Sequence, residues 1–260
     1  YPFRSLFTGR NQKELEFQIS EGNEYYSFQK DNLNTDPNSS IYLPQLDENE
    51  KTSLPSLFIN NDKISYNASQ SATIKFDSKS DNVIEVRIPK IEGLYSQHIL
   101  PVDSVLKIPP KSCNSYNDGY KKIELGSVIN MLQIISTKSS NCFAFDLPQL
   151  SHRYAYLISI KNKNIKGRGL LFSVRNKTSR RIDLEEYLPQ NKSSRSWFIL
   201  APKEQYGLGY YLEFDNISLS LNDTTINELG EINIQPIPLS FLSKIKIISK
   251  QSSLDEIKKQ

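Results

Sequence analysis

The side chains best suited to chemistry are aromatic residues that occur beside guanidinium and amide groups between residues 195 and 216. A pyranose stacks its apolar C–H face on flat rings, and its hydroxyls hydrogen-bond to charged or amide groups. The candidate ligand-binding residues of this type are Trp197, Arg195, Tyr206, Tyr210, Tyr211 and Asn216. A second interpretation stays open, because Trp197 alternates with Ile199 and could belong to a core. Tyr210 and Tyr211 also point to opposite sides of a strand.

Motifs of the common enzyme classes do not occur in the sequence. His98 and His152 have neither metal-ligand nor catalytic spacing, and we expect ordinary loop or surface histidines. Glycosidases need two carboxyl groups about 5 to 10 Å apart. Glu185 and Glu186 are adjacent and point in different directions, and the sequence pairs neither with another carboxylate. We therefore predict no catalytic residues, and no enzymatic activity in the isolated chain.

Short runs of β-branched and aromatic residues must position these side chains. Four such runs, 154–160, 170–174, 196–200 and 210–219, are bounded by Gly, Pro, Asn, Ser or Lys clusters, which is typical of strands. Similar runs at 56–59, 63–66, 72–76 and 83–88 come at regular spacing with polar turns between them. This pattern predicts an all-β fold made of β-sandwiches.

The length of 260 residues is enough for two domains with separate cores. The Pro109-Pro110 pair breaks any strand and marks the expected boundary. We predict an N-terminal β-sandwich domain over 1–108, a C-terminal β-sandwich domain over 111–250, and a loose tail over 251–260. A short helical turn is expected at 183–188, where Pro189 would stop it.

The last central run leaves two interpretations of its register open. Leu212 and Phe214 share one face of a regular strand, whereas Ile217, Leu219 and Leu221 fall on the other. A β-bulge at residues 215–216 would bring all five to the core side. The alternative is that both faces of the strand are covered.

Charge and hydropathy exclude some partners. The formal net charge is +3, with 32 basic and 29 acidic residues mixed along the chain, so no basic stripe predicts nucleic-acid binding. No apolar run approaches the roughly 20 residues of a membrane span, and no signal-peptide pattern occurs. The chain begins at Tyr1, and we expect a soluble piece of a longer protein.

Two cysteines, Cys113 and Cys142, lie in the second half. In an oxidising compartment they could form one disulfide that closes a loop of roughly 30 residues and contributes about 3 kcal/mol to stability. The alternative is two separate thiols, with Cys142 packed beside Phe143 as a small apolar residue.

The closing part of the chain resembles galactose-binding-like jelly rolls, the group that contains many carbohydrate-binding modules. The similar segments are Arg195-Ser196-Trp197-Phe198 and Phe214-Asp215-Asn216-Ile217-Ser218-Leu219. The resemblance implies a jelly-roll second domain and places Asp215 where such modules hold a structural calcium ion. It departs from the pattern at Asn216, which replaces a second acidic residue and removes charge that a hard cation needs. We expect no other cofactor.

A second resemblance covers more of the chain. The segments 141–148, 154–174, 186–189, 207–210 and 232–238 look like the C-terminal soluble domain of large, uncharacterised, glycosyltransferase-like polytopic membrane proteins of candidate-phylum bacteria. It implies an extracytoplasmic location, tethered through a membrane-embedded part upstream of Tyr1. The implied function is a non-catalytic accessory domain that binds carbohydrate or lipid-linked glycan of the cell envelope. The alternative is a structural or protein-interaction module without a small-molecule ligand.

Overall fold

The computed structural model describes residues 17–33, 39–50, 54–76, 81–99, 101–102, 105–106, 110–113, 120–125, 131–190, 193–218 and 223–248. Antiparallel β-sheets dominate these residues, which confirms the predicted all-β class. The chain forms two compact units. The first consists of residues 1–91 together with 237–260, and the second of residues 92–236.

The first unit contains eight strands and two short helical segments among its described residues. The strands before the crossing to the second unit are β1 (Gln18–Glu21), β2 (Tyr25–Leu33), β3 (Ser40–Leu43), β4 (Ser56–Ile59), β5 (Asp62–Ile64), β6 (Ala72–Lys75) and β7 (Asn82–Pro89). One turn of 3₁₀ helix spans Glu48–Glu50. Helix α1 (Leu239–Lys244) and strand β21 (Lys246–Ile248) complete the unit after the chain returns.

These strands form a five-stranded sheet in the order β1-β2-β7-β4-β5 and a three-stranded sheet in the order β21-β3-β6. In β7, alternate residues Ile84, Val86 and Ile88 are fully buried, because successive side chains of a strand point to opposite faces. Phe241 of α1 is also buried and stacks with Tyr66 at a centroid distance of 6.0 Å. The returning segment therefore contributes to the core of the first unit.

The second unit contains the other strands. They are β8 (Gln97–Ile99), β9 (Pro101–Val102), β10 (Val105–Leu106), β11 (Lys111–Ser112), β12 (Tyr120–Leu125), β13 (Leu132–Thr137), β14 (Ser140–Leu147), β15 (Ala155–Lys166), β16 (Leu171–Asn176), β17 (Ile182–Tyr187), β18 (Ser193–Leu200), β19 (Tyr210–Ile217) and β20 (Thr224–Ile237). Strands β9 and β10 pair with each other.

The remaining strands build two sheets that enclose one core. The five-stranded sheet has the order β11-β14-β19-β16-β17, and the six-stranded sheet has the order β12-β13-β20-β15-β18 with β8 paired to β20. Apolar side chains from both sheets form one cluster, in which Phe172 lies 4.9 Å from Phe198 between ring centroids. The second unit is therefore a β-sandwich.

One local expectation is wrong, and one of two open alternatives does not occur. Residues 182–187 form strand β17 rather than a helical turn, because they pair antiparallel with β16. No bulge occurs at residues 215–216, since β19 pairs with β14 in regular register from Tyr210 to Ile217. Asn216 takes an inward position and satisfies its amide there, and Ile217 points outward and is half-buried. Leu219 and Leu221 lie outside the described residues.

The division into units differs from the expected boundary at Pro109-Pro110. It falls between Ile91 and Glu92, because β8 already pairs with β20 of the second unit. The chain leaves that unit again at Ile237, because β21 pairs with β3 of the first. The tail 251–260 lies outside the described residues. No helix in the described part of the chain is long and apolar enough to cross a membrane.

Candidate functional site

Trp197 lies on the outer face of the six-stranded sheet. β18 pairs with β15 so that Phe198 and Leu200 point into the core opposite Ile158 and Tyr156. Because strand side chains alternate, Trp197 points away from this core and is half-buried. Arg195, two residues earlier, shares this face, and its guanidinium carbon lies 6.0 Å from the centroid of the Trp197 ring. The interpretation of Trp197 as a sandwich-core residue therefore does not hold.

A network of polar side chains adjoins Trp197. Arg195 donates from Nη1 to Ser159 Oγ at 2.7 Å and from Nη2 to Glu231 Oε2 at 2.7 Å. The second carboxylate oxygen of Glu231 accepts from Asn233 Nδ2 at 3.0 Å and lies 2.8 Å from His98 Nε2. We call the set Trp197, Arg195, Ser159, Glu231, His98 and Asn233 the Trp197 patch. Four strands, β8, β15, β18 and β20, contribute to it.

Glu231 is the anionic centre of the Trp197 patch. Burial by itself raises the pKa of this carboxyl, but hydrogen bonds from Arg195, Asn233 and His98 and the charge of Arg195 outweigh that effect and lower the pKa to about 2. The group is therefore ionised at neutral pH. The side chains of Arg195 and Glu231 keep 25% and 29% of their surface exposed, so solvent reaches the pair.

The Trp197 patch offers recognition chemistry. It combines an aromatic ring with a carboxylate acceptor and with guanidinium and amide donors, the groups that bind the apolar face and the hydroxyls of a sugar. It holds one carboxylate, Glu231, whereas glycoside hydrolysis uses a pair. Glu231, Asn233, Ser159 and His98 were not among the predicted ligand-binding residues. In the sequence, the alternation of Glu231 and Asn233 with Ile232 and Ile234 could have identified Glu231 and Asn233 as outward-facing residues of a strand.

Tyr211 lies on the outer face of the five-stranded sheet, away from Trp197. The ammonium group of Lys177 lies 5.0 Å from the centroid of its ring and donates to Asp146 at 2.8 Å. Burial raises the pKa of Asp146, but hydrogen bonds from Lys177 and Lys111 outweigh this and lower it. The structure therefore does not bring Tyr211 together with Trp197. Tyr206 lies on neither of these sheet faces. It belongs to the loop between β18 and β19, with 78% of its surface exposed.

Tyr210 and Asn216 are fully buried in the sandwich. The ring of Tyr210 stacks on His152 at a centroid distance of 4.3 Å, and burial raises the pKa of its hydroxyl. His152 lies in the loop between β14 and β15, one of the two expected kinds of position, but it is fully buried and not a surface histidine. Because Tyr210 and Asn216 are closed off from solvent, we leave them out of the candidate ligand site.

Asn216 joins the two sheets through its amide. Its Nδ2 lies within 3.1 Å of Ile134 O, Ser136 Oγ and Thr225 O, and its Oδ1 accepts from Asn227 Nδ2 at 2.8 Å. A buried amide that finds partners for both of its polar atoms avoids the cost of desolvation without compensation. The role of Asn216 in this structure is therefore structural.

Asp215 points outward from β19 and accepts a hydrogen bond from Ser140. In the part of the chain that the structure describes, no three or more His, Cys, Asp or Glu side chains gather into a group that could hold a metal ion. The described residues therefore place Asp215 in no such group for the calcium ion that the resemblance implies.

Cys113 and Cys142 form a disulfide, with Cα atoms 5.2 Å apart. The bridge lies beside the ladder of the short edge strand β11 with β14, where Cys113 N also donates to Cys142 O at 3.2 Å. Of the two alternatives that the sequence left open, the structure has the bridge. It ties the edge of the five-stranded sheet to the strand beside it.

Comparisons with known proteins find only distant similarities. No protein-family model and no curated protein matches the chain. Among solved structures, the chain is similar to the N-terminal CBM22-1–CBM22-2 tandem domain of Xyn10C from Paenibacillus barcinonensis, with 12% identity over 84% of this chain and 89% of that chain and a TM-score of 0.38. It is also similar to carbohydrate-binding modules of the β-sandwich superfamily, with 8% identity over 88% of this chain and 100% of that chain and a TM-score of 0.25.

A third similar structure is the isomalto-dextranase of Arthrobacter globiformis, determined in complex with panose. It shares 11% identity over 81% of this chain and 35% of that chain, with a TM-score of 0.28. These values are too low to assign a family. The β-sandwich fold of the second unit therefore rests on its own sheets and core.

Proposed function

We propose that this chain is a non-catalytic accessory module that binds carbohydrate or lipid-linked glycan of the cell envelope, with the Trp197 patch as its binding site. The observation that supports the proposal is the half-buried indole of Trp197 beside the Arg195–Glu231 pair on one sheet face. Ser159, Asn233 and His98 hold that pair in place. A site that is ordered before the ligand arrives loses less conformational entropy on binding.

The location and the tether are part of the same proposal. The Cys113–Cys142 disulfide supports an oxidising, extracytoplasmic compartment, because disulfides are rare in reducing cytoplasm. A membrane-embedded part upstream of Tyr1 would hold the module at the cell surface. The sequence resemblance to domains of polytopic membrane proteins supports this tether.

A glycan-array screen of the purified chain tests the proposal, followed by titration calorimetry with any glycan that binds. We expect Trp197→Ala to weaken binding by about tenfold or more, because buried aromatic anchors contribute much of the energy of a binding site. Glu231→Gln should also weaken binding, since it removes the charge that holds Arg195 and that accepts from hydroxyl groups.

Tyr187→Ala is the matched control. Tyr187 is an exposed aromatic residue with an arginine, Arg168, 4.4 Å from its ring centroid, but it belongs to the five-stranded sheet. The Tyr187→Ala variant should bind glycan as the wild type does. A folded Trp197→Ala variant with unchanged affinity would contradict the assignment of the site. A folded wild type that binds no glycan would favour the alternative of a structural or protein-interaction module.

A further inference from the structure

Three loops of the second unit meet at one end of the sandwich. They are residues 148–154 between β14 and β15, 177–181 between β16 and β17, and 201–209 between β18 and β19. Backbone groups connect them, since Lys203 N donates to His152 O at 2.9 Å and Lys177 N donates to Gly209 O at 3.1 Å. Leu208 N also donates to Thr178 Oγ1 at 2.9 Å. We call this region the three-loop end.

Buried hydrogen bonds fix the loop 201–209. The ring nitrogens of His152 lie 2.6 Å from a carboxylate oxygen of Glu204 and 2.8 Å from Gly209 O. The ring of His152 is therefore held between the loop residues Glu204 and Gly209. Asn176 Nδ2 donates to the Glu204 carboxylate at 3.0 Å, and hydrogen bonds from Asn176 and His152 lower the pKa of Glu204.

Glycines allow the close approach of this loop. A Cβ at Gly207 would collide with the ring of His152, and Gly209 has φ of +86°, in the left-handed region that favours glycine. The loop is therefore anchored on both sides of Tyr206, by Glu204 before it and by Gly207 to Gly209 after it.

The anchored loop presents two large apolar side chains to solvent. Tyr206 is 78% exposed and Leu208 is 65% exposed. Single exposed apolar residues are common on protein surfaces. Here two of them lie within three positions of a loop whose conformation is fixed by buried side chains. A preorganised loop loses less conformational entropy when its exposed apolar side chains are buried by a partner.

The three loops that present the apolar pair also carry basic side chains. Exposed basic residues of the three loops are Arg153, Arg180, Arg181 and Lys203. The nearby carboxylates are turned toward the protein, because Asn176 donates both to Glu204 and, at 3.1 Å, to Asp183. The three loops contain five basic side chains, the four above and Lys177, and one acidic side chain, Glu204, which gives a net charge of +4. Asp146 and Asp183 of the adjoining strands lie 2.8 Å from Lys177 and 3.9 Å from Lys203, and counting them lowers the net charge to +2.

We infer that the three-loop end docks on the surface of an anionic phospholipid membrane. Tyrosine is enriched at the membrane–water interface, where its ring lies at the depth of the headgroups, and leucine contributes apolar area below it. Arginine and lysine near the surface each add about 1 kcal/mol of attraction to anionic lipids. Tyr206 and Leu208 would enter the interface, while Arg180 and Arg181 contact phosphate groups. This surface is distinct from the Trp197 patch, which lies on a sheet face.

Co-sedimentation of the full chain with lipid vesicles tests the inference. We expect binding to phosphatidylcholine vesicles that contain about 30% phosphatidylglycerol in about 0.1 M salt, and weaker binding when salt is raised to about 0.5 M. Pure phosphatidylcholine vesicles should bind far less. The double variant Tyr206→Ser/Leu208→Ser and the double variant Arg180→Glu/Arg181→Glu should each bind at least about tenfold more weakly.

Matched control variants come from the opposite end of β15. Ile165→Ser removes an apolar side chain that is 40% exposed, and Lys166→Glu reverses an exposed charge. Both should bind vesicles as the wild type does, and circular dichroism establishes that every variant is folded. The inference is overturned if the wild type does not sediment with anionic vesicles at about 1 mM lipid, or binds neutral vesicles equally well. It is also overturned if the folded double variants of the three-loop end bind as the wild type does.

Discussion

Replacing Asn216 with leucine should destabilise the second unit without a direct effect on glycan binding. Leucine has nearly the shape of asparagine but lacks its polar atoms. The substitution leaves Ile134 O, Thr225 O and one Nδ2 hydrogen of Asn227 without their present partner in a fully buried position. This is the situation in which lost hydrogen bonds are most costly.

The magnitude follows from the number of bonds. The two hydrogens of Nδ2 are shared among three acceptors and Oδ1 accepts one bond, so three hydrogen bonds at about 1 to 1.5 kcal/mol each give roughly 4 kcal/mol, of which burial of the apolar leucine side chain offsets about 1 to 2 kcal/mol. We therefore expect a loss of about 2 to 3 kcal/mol in the free energy of unfolding. With a urea m-value of about 2 kcal/mol/M, the unfolding midpoint should fall by about 1 to 1.5 M.

Urea unfolding followed by tryptophan fluorescence measures this change, because the one tryptophan of the chain, Trp197, lies in the second unit. Gln205→Leu, which replaces an exposed amide, is the control and should leave the midpoint nearly unchanged. A midpoint shift of Asn216→Leu no larger than that of Gln205→Leu would refute the argument. Loss of glycan binding by folded Asn216→Leu protein would instead support the sequence-based assignment of Asn216 to the ligand site.

Two further predictions concern pH and redox state. The pKa of Glu231 is about 2 in the folded chain, below its usual value near 4.5, so its contribution to stability is present above about pH 4.5 and is lost as pH falls toward 2. Allowing for solvent screening, the wild type should exceed Glu231→Gln in unfolding free energy by about 1 to 2 kcal/mol at pH 7. Urea titrations should show this difference decreasing steadily between pH 4.5 and 3. A difference that does not depend on pH would contradict the lowered pKa of Glu231. The cysteines of the Cys113–Cys142 disulfide are 29 residues apart, and its reduction should lower the free energy of unfolding by roughly 3.5 kcal/mol. The loss is measured as a lower urea midpoint after treatment with a thiol reductant. Equal midpoints before and after complete reduction would show that the bridge constrains the unfolded chain little.

Strands with a plain alternation of side chains could be predicted from the sequence. The run 83–88 became β7, and residues 210–217 of the run 210–219 became β19, because each buries one face against the core of its unit. Residues 183–188 have helical character in isolation. They form a strand because the neighbouring β16 supplies hydrogen-bond partners, which local sequence does not report.

The long strand β20 could not be predicted in this way. It carries Asn227, Glu228 and Gly230, which strands of globular proteins usually avoid, and all three are buried. Their partners come from distant parts of the chain. Asn227 donates to Arg168 O at 2.9 Å, and Lys163 lies 3.6 Å from Glu228. The burial of polar residues in a strand can be predicted only when such partners are known.

Some residues of the candidate site could also be predicted from the sequence, and others could not. Arg195 and Trp197 share a face because they are two positions apart in one strand, a relation that the sequence contains. Glu231 and His98 join them only because β20 pairs with β8 and neighbours β15. That order of strands depends on the whole topology. Tyr210 and Asn216 have the chemistry of ligand-binding residues, but the same topology places them in the interior.

The pairing of β21 with β3 has a consequence for synthesis of the chain. Ile247 pairs with Ile41, so 206 residues separate the two partners. At a translation rate of about 5 to 20 residues per second, the ribosome needs roughly 10 to 40 s to add the second strand after the first. All of residues 92–236 emerge within this interval. The second unit can therefore complete its sandwich first, while the part of the chain made earliest must wait for β21 and α1 before it reaches its final form.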